Sequence, residues 1–329
     1  MENIQVSVIV PIYKVERFIE RCAKSLFNQT LSDVEFIFVD DASPDRSIEI
    51  LKECIDKFPE RKNSIQLLTH ASNKGLPCAR NTGLAKARGK YIFHCDSDDY
   101  VDLDMLEALY TSAEKHDSDI VWCDFYLSYK DRERYMSQRI GENVEIFLRE
   151  GLLSGKIKYN VWNKLVKRSL YTENGITFPD GYAMGEDMTM IRLAACAKSV
   201  SYVSKAFYHY VQLNTNAYSY SFSDRYTKSI QHNVRLTTNF LHDHYPLNLD
   251  KEIAFFKLNT KLPFLISCNW SQYAVWNEWY SESNEYIPVI NHQPFRTKAI
   301  QWLAWKKCYP LIWIYNIVVY KIIYKLRYH

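Results

Sequence analysis

A chain of 329 residues with 47% hydrophobic residues is long enough for one large domain or a domain with an appendage, and too apolar to be disordered or fibrous. A net charge of only +3 gives no reason to expect a nucleic-acid partner. Eight cysteines without a C-x-x-C pair or metal-finger spacing read as reduced thiols of a cytoplasmic protein, mostly core filler.

The opening MENIQVSVIVPIY is short, lacks a basic leader and does not read as a signal peptide. Val6–Val10 predicts a buried strand closed by Pro11, and Val15, Phe18, Ile19, Cys22 and Leu26 recur at helical spacing. A second strand follows at Val34–Asp40. Ser43-Pro44 then predicts a helix start, with Ile48, Leu51, Ile55 and Phe58 as the buried stripe. IQLLTH predicts a third strand, Pro77–Ala87 a helix stopped by Gly89, KYIFHC a fourth strand and DIVWCDFYL a fifth. Arg132–Arg139 is polar and reads as loop. GYAMGEDMTMIRLAACAKS reads as a turn into a helix, SYVSKAFYHYV as a strand, and about 222–276 as helical. The alternation predicts an α/β fold: a Rossmann-like, mostly parallel sheet with helices on both faces, plus a helical C-terminal region. The expected division is 1–215, then a helical extension over 216–298, then a basic aromatic tail over 299–329.

In such sheets ligands bind beyond the carboxyl ends of the strands. Two of those ends are acidic: Asp40 and Asp41 after the second strand, and Asp96, Asp98, Asp99 and Asp102 after the fourth. Like charges so close require water or a cation to answer them. Asp96-Ser97-Asp98 is a D-x-D, whose carboxylates suit a hard divalent ion such as Mg²⁺ or Mn²⁺ beside substrate phosphates. By itself it is equally well read as an acidic turn, with Asp102 capping the helix that follows.

Order and spacing add to this. SVIVPIYKVERFIERCAKSLFNQT, VDDASPDRS, ASNKGLPCARNTGLAKARGKYIFHCDSDD and GED together resemble the family 2 glycosyltransferases of the nucleotide-diphospho-sugar transferase (GT-A) fold, over roughly residues 5 to 210. The resemblance implies a metal-dependent, inverting transfer of sugar from a nucleoside-diphosphate donor, UDP-linked, to a glycan or lipid-linked glycan acceptor in polysaccharide synthesis. The competing reading is an inactive nucleotide- or glycan-binding module on the same scaffold. Pro11 and Tyr13 are similar to the wall of the nucleotide pocket. Asp41 is similar to the acid that accepts from the base, Arg80 to a basic residue near the nucleotide or diphosphate, and Asp96 to a ribose neighbour. An Asx-type turn competes at Asp40 and Asp41, and an ordinary surface arginine at Arg80. Asp98 is similar to the metal ligand, with Asp99 as a spare acid nearby.

The base that takes the acceptor proton is expected at Asp187, with Glu186 second, in the GED turn. Acids opening a helix also serve as simple caps. His209 is a candidate metal or phosphate contact, or a packed core residue among aromatics. Trp162 and Lys164, in VWNKLVKRSLY, are candidates for an acceptor-sugar platform and a phosphate contact, or for a packed tryptophan and a solvated lysine.

No acid follows Glu285, while Arg296, Lys298, Lys306, Lys307, Lys321, Lys325 and Arg327 do. Trp302, Trp305 and Trp313 lie among them. The run between Tyr309 and Tyr320 is too short to span a bilayer, so the tail is expected to attach to a membrane surface, placing the protein at the inner face of the plasma membrane. Docking on protein is the other use of such a segment.

Overall fold

The computed structural model describes residues 4–213 and 224–319. The chain divides into two compact units, Met1–Leu148 with Tyr159–Tyr245, and Arg149–Lys158 with Pro246–His329.

In the first unit, nine strands among the described residues form one sheet: β1 (Val6–Ile12), β2 (Val34–Asp40), β3 (Ile65–Thr69), β4 (Tyr91–His94), β5 (Tyr100–Val101), β6 (Ile120–Ser128), β7 (Glu133–Met136), β8 (Lys164–Lys167) and β9 (Val200–Val211). Their order is β3-β2-β1-β4-β8-β6-β9-β5, with β7 paired to β6. The first four strands are parallel, with β1 between β2 and β4. Beyond β4 the sheet is mixed: β8 runs antiparallel to both β4 and β6, while β6 is parallel to β9.

Alternation along β1 sorts the helices onto two faces. Val6, Val8 and Val10 join one core with residues of α1 (Ile19–Phe27), α2 (Ser47–Asp56) and, after β5, α4 (Met105–His116). Ile9 points the other way, against α3 (Leu76–Lys86), whose Gly83 lies so close that an added Cβ would sit 2.4 Å from Ile9 Cγ2. The glycine of the ARNTG stretch therefore lets α3 approach the sheet, and Arg80 is carried in with it.

Several local expectations are corrected. Pro11 does not close β1 but lies inside it, opposite Val39. Ile9 O still accepts from Cys95 N on the β4 side, so the N–H that Pro11 lacks would have pointed where β4 has already turned away. Arg132–Arg139 holds a strand, β7, whose polar residues carry no period of their own and gain it by pairing with β6. The helix after Pro44 starts at Ser47, and Asp45 accepts from Ser47 N and Oγ (3.2 and 2.6 Å). The stretch read as helical over about 222–276 is helical among the described residues, with Asp224–His244 in the first unit and Asp250–Lys261 and Trp270–Glu278 in the second.

The second unit packs Phe255, Leu258, Tyr273, Trp276, Ile287, Ile300, Ala304 and Ile312 into its own core. The tail contributes to that core through the helices Phe295–Trp305 and Tyr309–Asn316, while Trp302, Leu311, Trp313, Ile314 and Val318 stay exposed. Residues 320–329 of the tail, and the expected boundary at 215, lie outside the described residues. Among the described residues no helix is long and apolar enough to cross a membrane.

Candidate active site

Because β1, β2 and β4 are parallel neighbours, their carboxyl ends open on one side of the sheet and bring together segments distant in sequence. Arg80, one turn before Gly83, is 1% exposed and spans the gap between two acidic motifs. Its Nη2 donates to Asp96 Oδ1 at 2.9 Å, and its Nη1 to Asp187 Oδ1 at 2.9 Å and Glu186 Oε1 at 3.2 Å. The D-x-D after β4 and the E-D turn thus share one guanidinium, whose planar fork suits several carboxylates at once. Phe178 covers it at 5.4 Å, and Arg80 Nε is buried with no hydrogen-bond partner among the described residues. The surface-arginine reading is excluded. Arg80 meets carboxylates in this structure, where the resemblance implied a nucleotide or diphosphate.

Burial pushes Glu186 up to about 8, with Asp187 adding to the rise and Arg80 opposing it. Asp187 is raised as well, by burial first, with Arg80 and then Lys164 holding it down. Lys164 is itself 1% exposed, donating to Asn160 O and Asn163 Oδ1 at 2.7 Å each, and burial lowers it to about 7 against the pull of Asp187. Lys164 is therefore not a solvated lysine. It is a second buried basic group beside the acidic turn.

The carboxylates after β4 divide their work. Asp98 is half-buried and its backbone carbonyl accepts from Arg21 Nη2 at 3.2 Å. Asp99 is fully buried: Oδ2 accepts from Tyr208 OH and Oδ1 from Val211 N, both at 2.7 Å. The same Tyr208 oxygen accepts from Asp96 N at 3.1 Å, so Tyr208 on β9 pins the D-x-D turn at two points. Both Asp99 oxygens are thereby engaged in supporting the turn. Trp162 is 3% exposed and stacks on Tyr208 at 4.4 Å, with Phe125 edge-on at 4.9 Å. Its ring backs the turn from inside the core, which corrects the acceptor-platform expectation.

His209 is corrected too. Its ring is sandwiched by Tyr100 (4.2 Å) and Tyr126 (5.0 Å), and its nitrogens face Glu133 Oε1 at 2.7 Å and Asp102 Oδ1 at 3.0 Å. Both are committed to carboxylates away from the D-x-D, so it serves the β5–β9 pairing. At the end of β2, Asp40 makes the Asx-type contact, accepting from Ser43 N at 2.8 Å. Asp41 is buried and accepts from His70 Nδ1 (2.7 Å), Lys74 N and Gly75 N (2.8 Å each), tying the loop before α3 to β2. Pro11 is buried within the last residues of β1, and Tyr13, just past the strand, is half-buried with Lys14 Nζ over its ring at 5.2 Å.

Among the described residues no three His, Cys, Asp or Glu side chains meet closely enough to hold an ion alone. A cation here must complete its shell with phosphate and water, the habit of Mg²⁺ and Mn²⁺, and the all-oxygen donors of Asp96 and Asp98 fit that chemistry. Residues that the sequence reading missed are Arg21, Tyr208 and His70. Arg21 looked like one more solvated helix charge and Tyr208 like one more strand aromatic; only pairing across the sheet singles them out.

The family model for glycosyl transferase family 2 matches residues 7–184. The chain belongs to glycosyl transferase family 2. It is 39% identical to the uncharacterized glycosyltransferase EpsJ of Bacillus subtilis (strain 168) over 190 residues, 55% of this chain and 53% of that protein. It is 31% identical to the poly(ribitol-phosphate) beta-glucosyltransferase of Bacillus spizizenii over 213 residues, 63% of this chain and 32% of that protein. The chain therefore spans about half of the first relative and a third of the second. Among solved structures, this family 2 chain resembles S. aureus TarS 1-349 in complex with UDP-GlcNAc, with a TM-score of 0.69 at 20% identity, covering 96% of this chain and 92% of the other. It also resembles the mannosyltransferase PcManGT from Pyrobaculum calidifontis in complex with GDP-Man and Mn²⁺, with a TM-score of 0.51 at 18% identity over 95% and 84%. Those likenesses establish the GT-A fold.

Proposed function

We propose that this family 2 glycosyltransferase is a metal-dependent, inverting enzyme that moves a sugar from a UDP-linked donor to a glycan or lipid-linked glycan acceptor. The observation that carries the reading is the shared guanidinium: Arg80 ties the D-x-D acid Asp96 to the E-D acids Glu186 and Asp187, which lie 106 and 107 positions after Arg80 itself. A fold needs no such convergence of three carboxylates, whereas a reaction that must place a leaving diphosphate opposite a base does. UDP-sugar as donor and a surface polymer as acceptor are supported by what TarS was crystallised with and by the name of the Bacillus spizizenii relative.

Asp187 is the base in this reading. Burial raises its proton affinity above that of a free carboxylate and Arg80 opposes the rise, a balance that suits proton transfer from an acceptor hydroxyl. Glu186, pushed up to about 8, stays protonated at neutral pH and serves as a neighbour. Asp98 and Asp96 would hold the divalent ion, and Asp99 with Tyr208 keeps their turn in place. When bound, the ion supplies positive charge where the diphosphate leaves, without a proton donor. Pro11, Tyr13 and Asp41, at the ends of β1 and β2, border the expected place of the nucleotide.

A lipid-linked acceptor agrees with the second unit, where exposed Trp302, Leu311, Trp313 and Ile314 lie among Lys306 and Lys307 in a stretch without acids.

The deciding experiment incubates the protein with a panel of nucleotide sugars, with Mn²⁺ or with chelator, and follows release of nucleoside diphosphate. UDP release that needs the metal is expected. Asp98→Asn should abolish metal-dependent UDP binding, and Asp187→Asn should leave binding intact while cutting transfer by about 10²–10⁴. No turnover with any donor would leave a binding module, and full transfer by Asp187→Asn would move the base elsewhere.

A further inference from the structure

The turn that presents Glu186 and Asp187 is gripped from two elements by asparagines. From α3, Asn81 Nδ2 donates to Phe178 O and Asp180 Oδ1 at 2.9 Å each, and Asn81 Oδ1 accepts from Phe178 N at 2.8 Å. From the helix Asp224–His244, Asn233 Nδ2 donates to Tyr182 O at 3.0 Å and to Met184 O at 2.7 Å. Asn233 is 2% exposed, and its Oδ1 has no hydrogen-bond partner among the described residues. Two carbonyl acceptors dictate which way the carboxamide faces, because the flipped amide would set oxygen against oxygen. The helix thus leaves a buried acceptor unpaired while both N–H groups hold the turn.

Two further contacts come from the same helical stretch. His232 stacks on Tyr182 with ring centroids 3.6 Å apart and planes 1° off parallel. Gly185, the residue before the acidic pair, has φ +81°, and an added Cβ there would lie 3.1 Å from Ile230 Cδ1. This helix therefore holds residues 182 and 184 by hydrogen bonds and packs closely on Gly185 immediately before the chain reaches Glu186 and Asp187. The helix starts beyond residue 184, where the match to the family model ends.

Resting on the reading of Asp187 as base, we propose that Asn233 is a positioning residue for transfer: by holding the Tyr182 and Met184 carbonyls it sets where the Asp187 carboxylate stands relative to Arg80 and the acceptor hydroxyl. The Asp187 carboxylate stands 2.9 Å from Arg80 at the end of a turn that enters through left-handed Gly185 and is closed by Met188 N donating to Gly185 O at 3.0 Å. A shift of about 1 Å in a reacting group is enough to cost on the order of a hundredfold in rate. Donor binding, which uses the D-x-D side of the site, is left alone.

The test compares wild type, Asn233→Ala and Asn233→Asp, the last placing a second acceptor oxygen where Nδ2 was. Leu241→Ala is the control; it removes a buried side chain about two turns further along the same helix, away from the E-D turn. In the donor panel described above, both Asn233 variants are expected to lose kcat on the order of a hundredfold with donor KM unchanged. In hydrogen exchange, both should lose protection of amides 182–187 while those of β1 and β4 keep theirs. Leu241→Ala should lower the melting temperature and keep the kcat of the folded protein. Wild-type kcat in the Asn233 variants, or a loss no larger than their unfolded fraction, overturns the proposal. Unchanged exchange at 182–187 also overturns it, whatever the activity. Absence of transfer by the wild-type protein refutes the reading of the site instead, and the exchange arm still decides whether Asn233 holds the turn.

Discussion

Arg80→Met tests the arrangement on which the site depends, since it keeps the length and apolar stem of the side chain and removes only the guanidinium. Three acidic side chains would lose their common partner: Asp96, Glu186 and Asp187 are 25%, 12% and 23% exposed, so little water is at hand to replace it. Breaking a buried ion pair by deleting one partner costs about 3–5 kcal/mol. For a unit of this size that corresponds to a drop of roughly 10 °C in melting temperature. The pH dependence gives the sharper signature. Glu186 already has a folded pKa of about 8 against an ordinary 4.5, raised by burial and then by Asp187. An acid raised in this way favours the folded state below its unfolded value and loses that contribution as pH climbs through the folded one. Without Arg80, Glu186 and Asp187 rise further, so the variant should suffer most at pH 8.5 and approach wild type as pH falls toward 5. Thermal unfolding of both proteins from pH 5 to 8.5 measures this. A melting difference that is absent at pH 8.5, or constant across the range, refutes the idea that Arg80 neutralises the acidic group. Arg80→Lys should recover only part of the loss, because an ammonium cannot reach three carboxylates in one plane.

Tyr208→Phe removes the hydroxyl between Asp99 and Asp96 N but keeps the stack on Trp162; a loss of about 1–3 kcal/mol in thermal unfolding is expected, with weaker Mn²⁺-dependent UDP binding by calorimetry. His209→Phe preserves the sandwich with Tyr100 and Tyr126 and should leave the Mn²⁺ concentration for half-maximal activity unchanged; a large increase would return His209 to the ligand set. For the membrane surface, truncation at residue 299 is a poor probe because Ile300, Ala304 and Ile312 belong to the core of the second unit. Substituting the exposed Trp302 and Leu311 by Ser together with Lys306 and Lys307 by Glu should instead abolish sedimentation with vesicles rich in anionic lipid, and equal sedimentation by the variant and wild type ends the membrane reading.

Local order in the chain was enough to announce the parallel strands, the helices between them and the acidic strand ends, because a strand buried on both faces must be apolar throughout and a helix must repeat its apolar stripe. The family resemblance, and not spacing by itself, paired the D-x-D with the later E-D turn as parts of one site. Spacing could not say that Arg80 is the side chain joining them, since burial of a cation depends on Gly83 letting α3 sink against Ile9 and on acids more than a hundred residues further on. Nor could it separate Asp98 from Asp99, two adjacent acids of which one is half-buried and the other closed in by Tyr208 and Val211. Trp162, His209 and β7 carry the same lesson. An aromatic ring, an imidazole or a polar strand acquires its role from what the sheet lays beside it, and pairing across a sheet is a long-range property that no window of neighbouring residues contains.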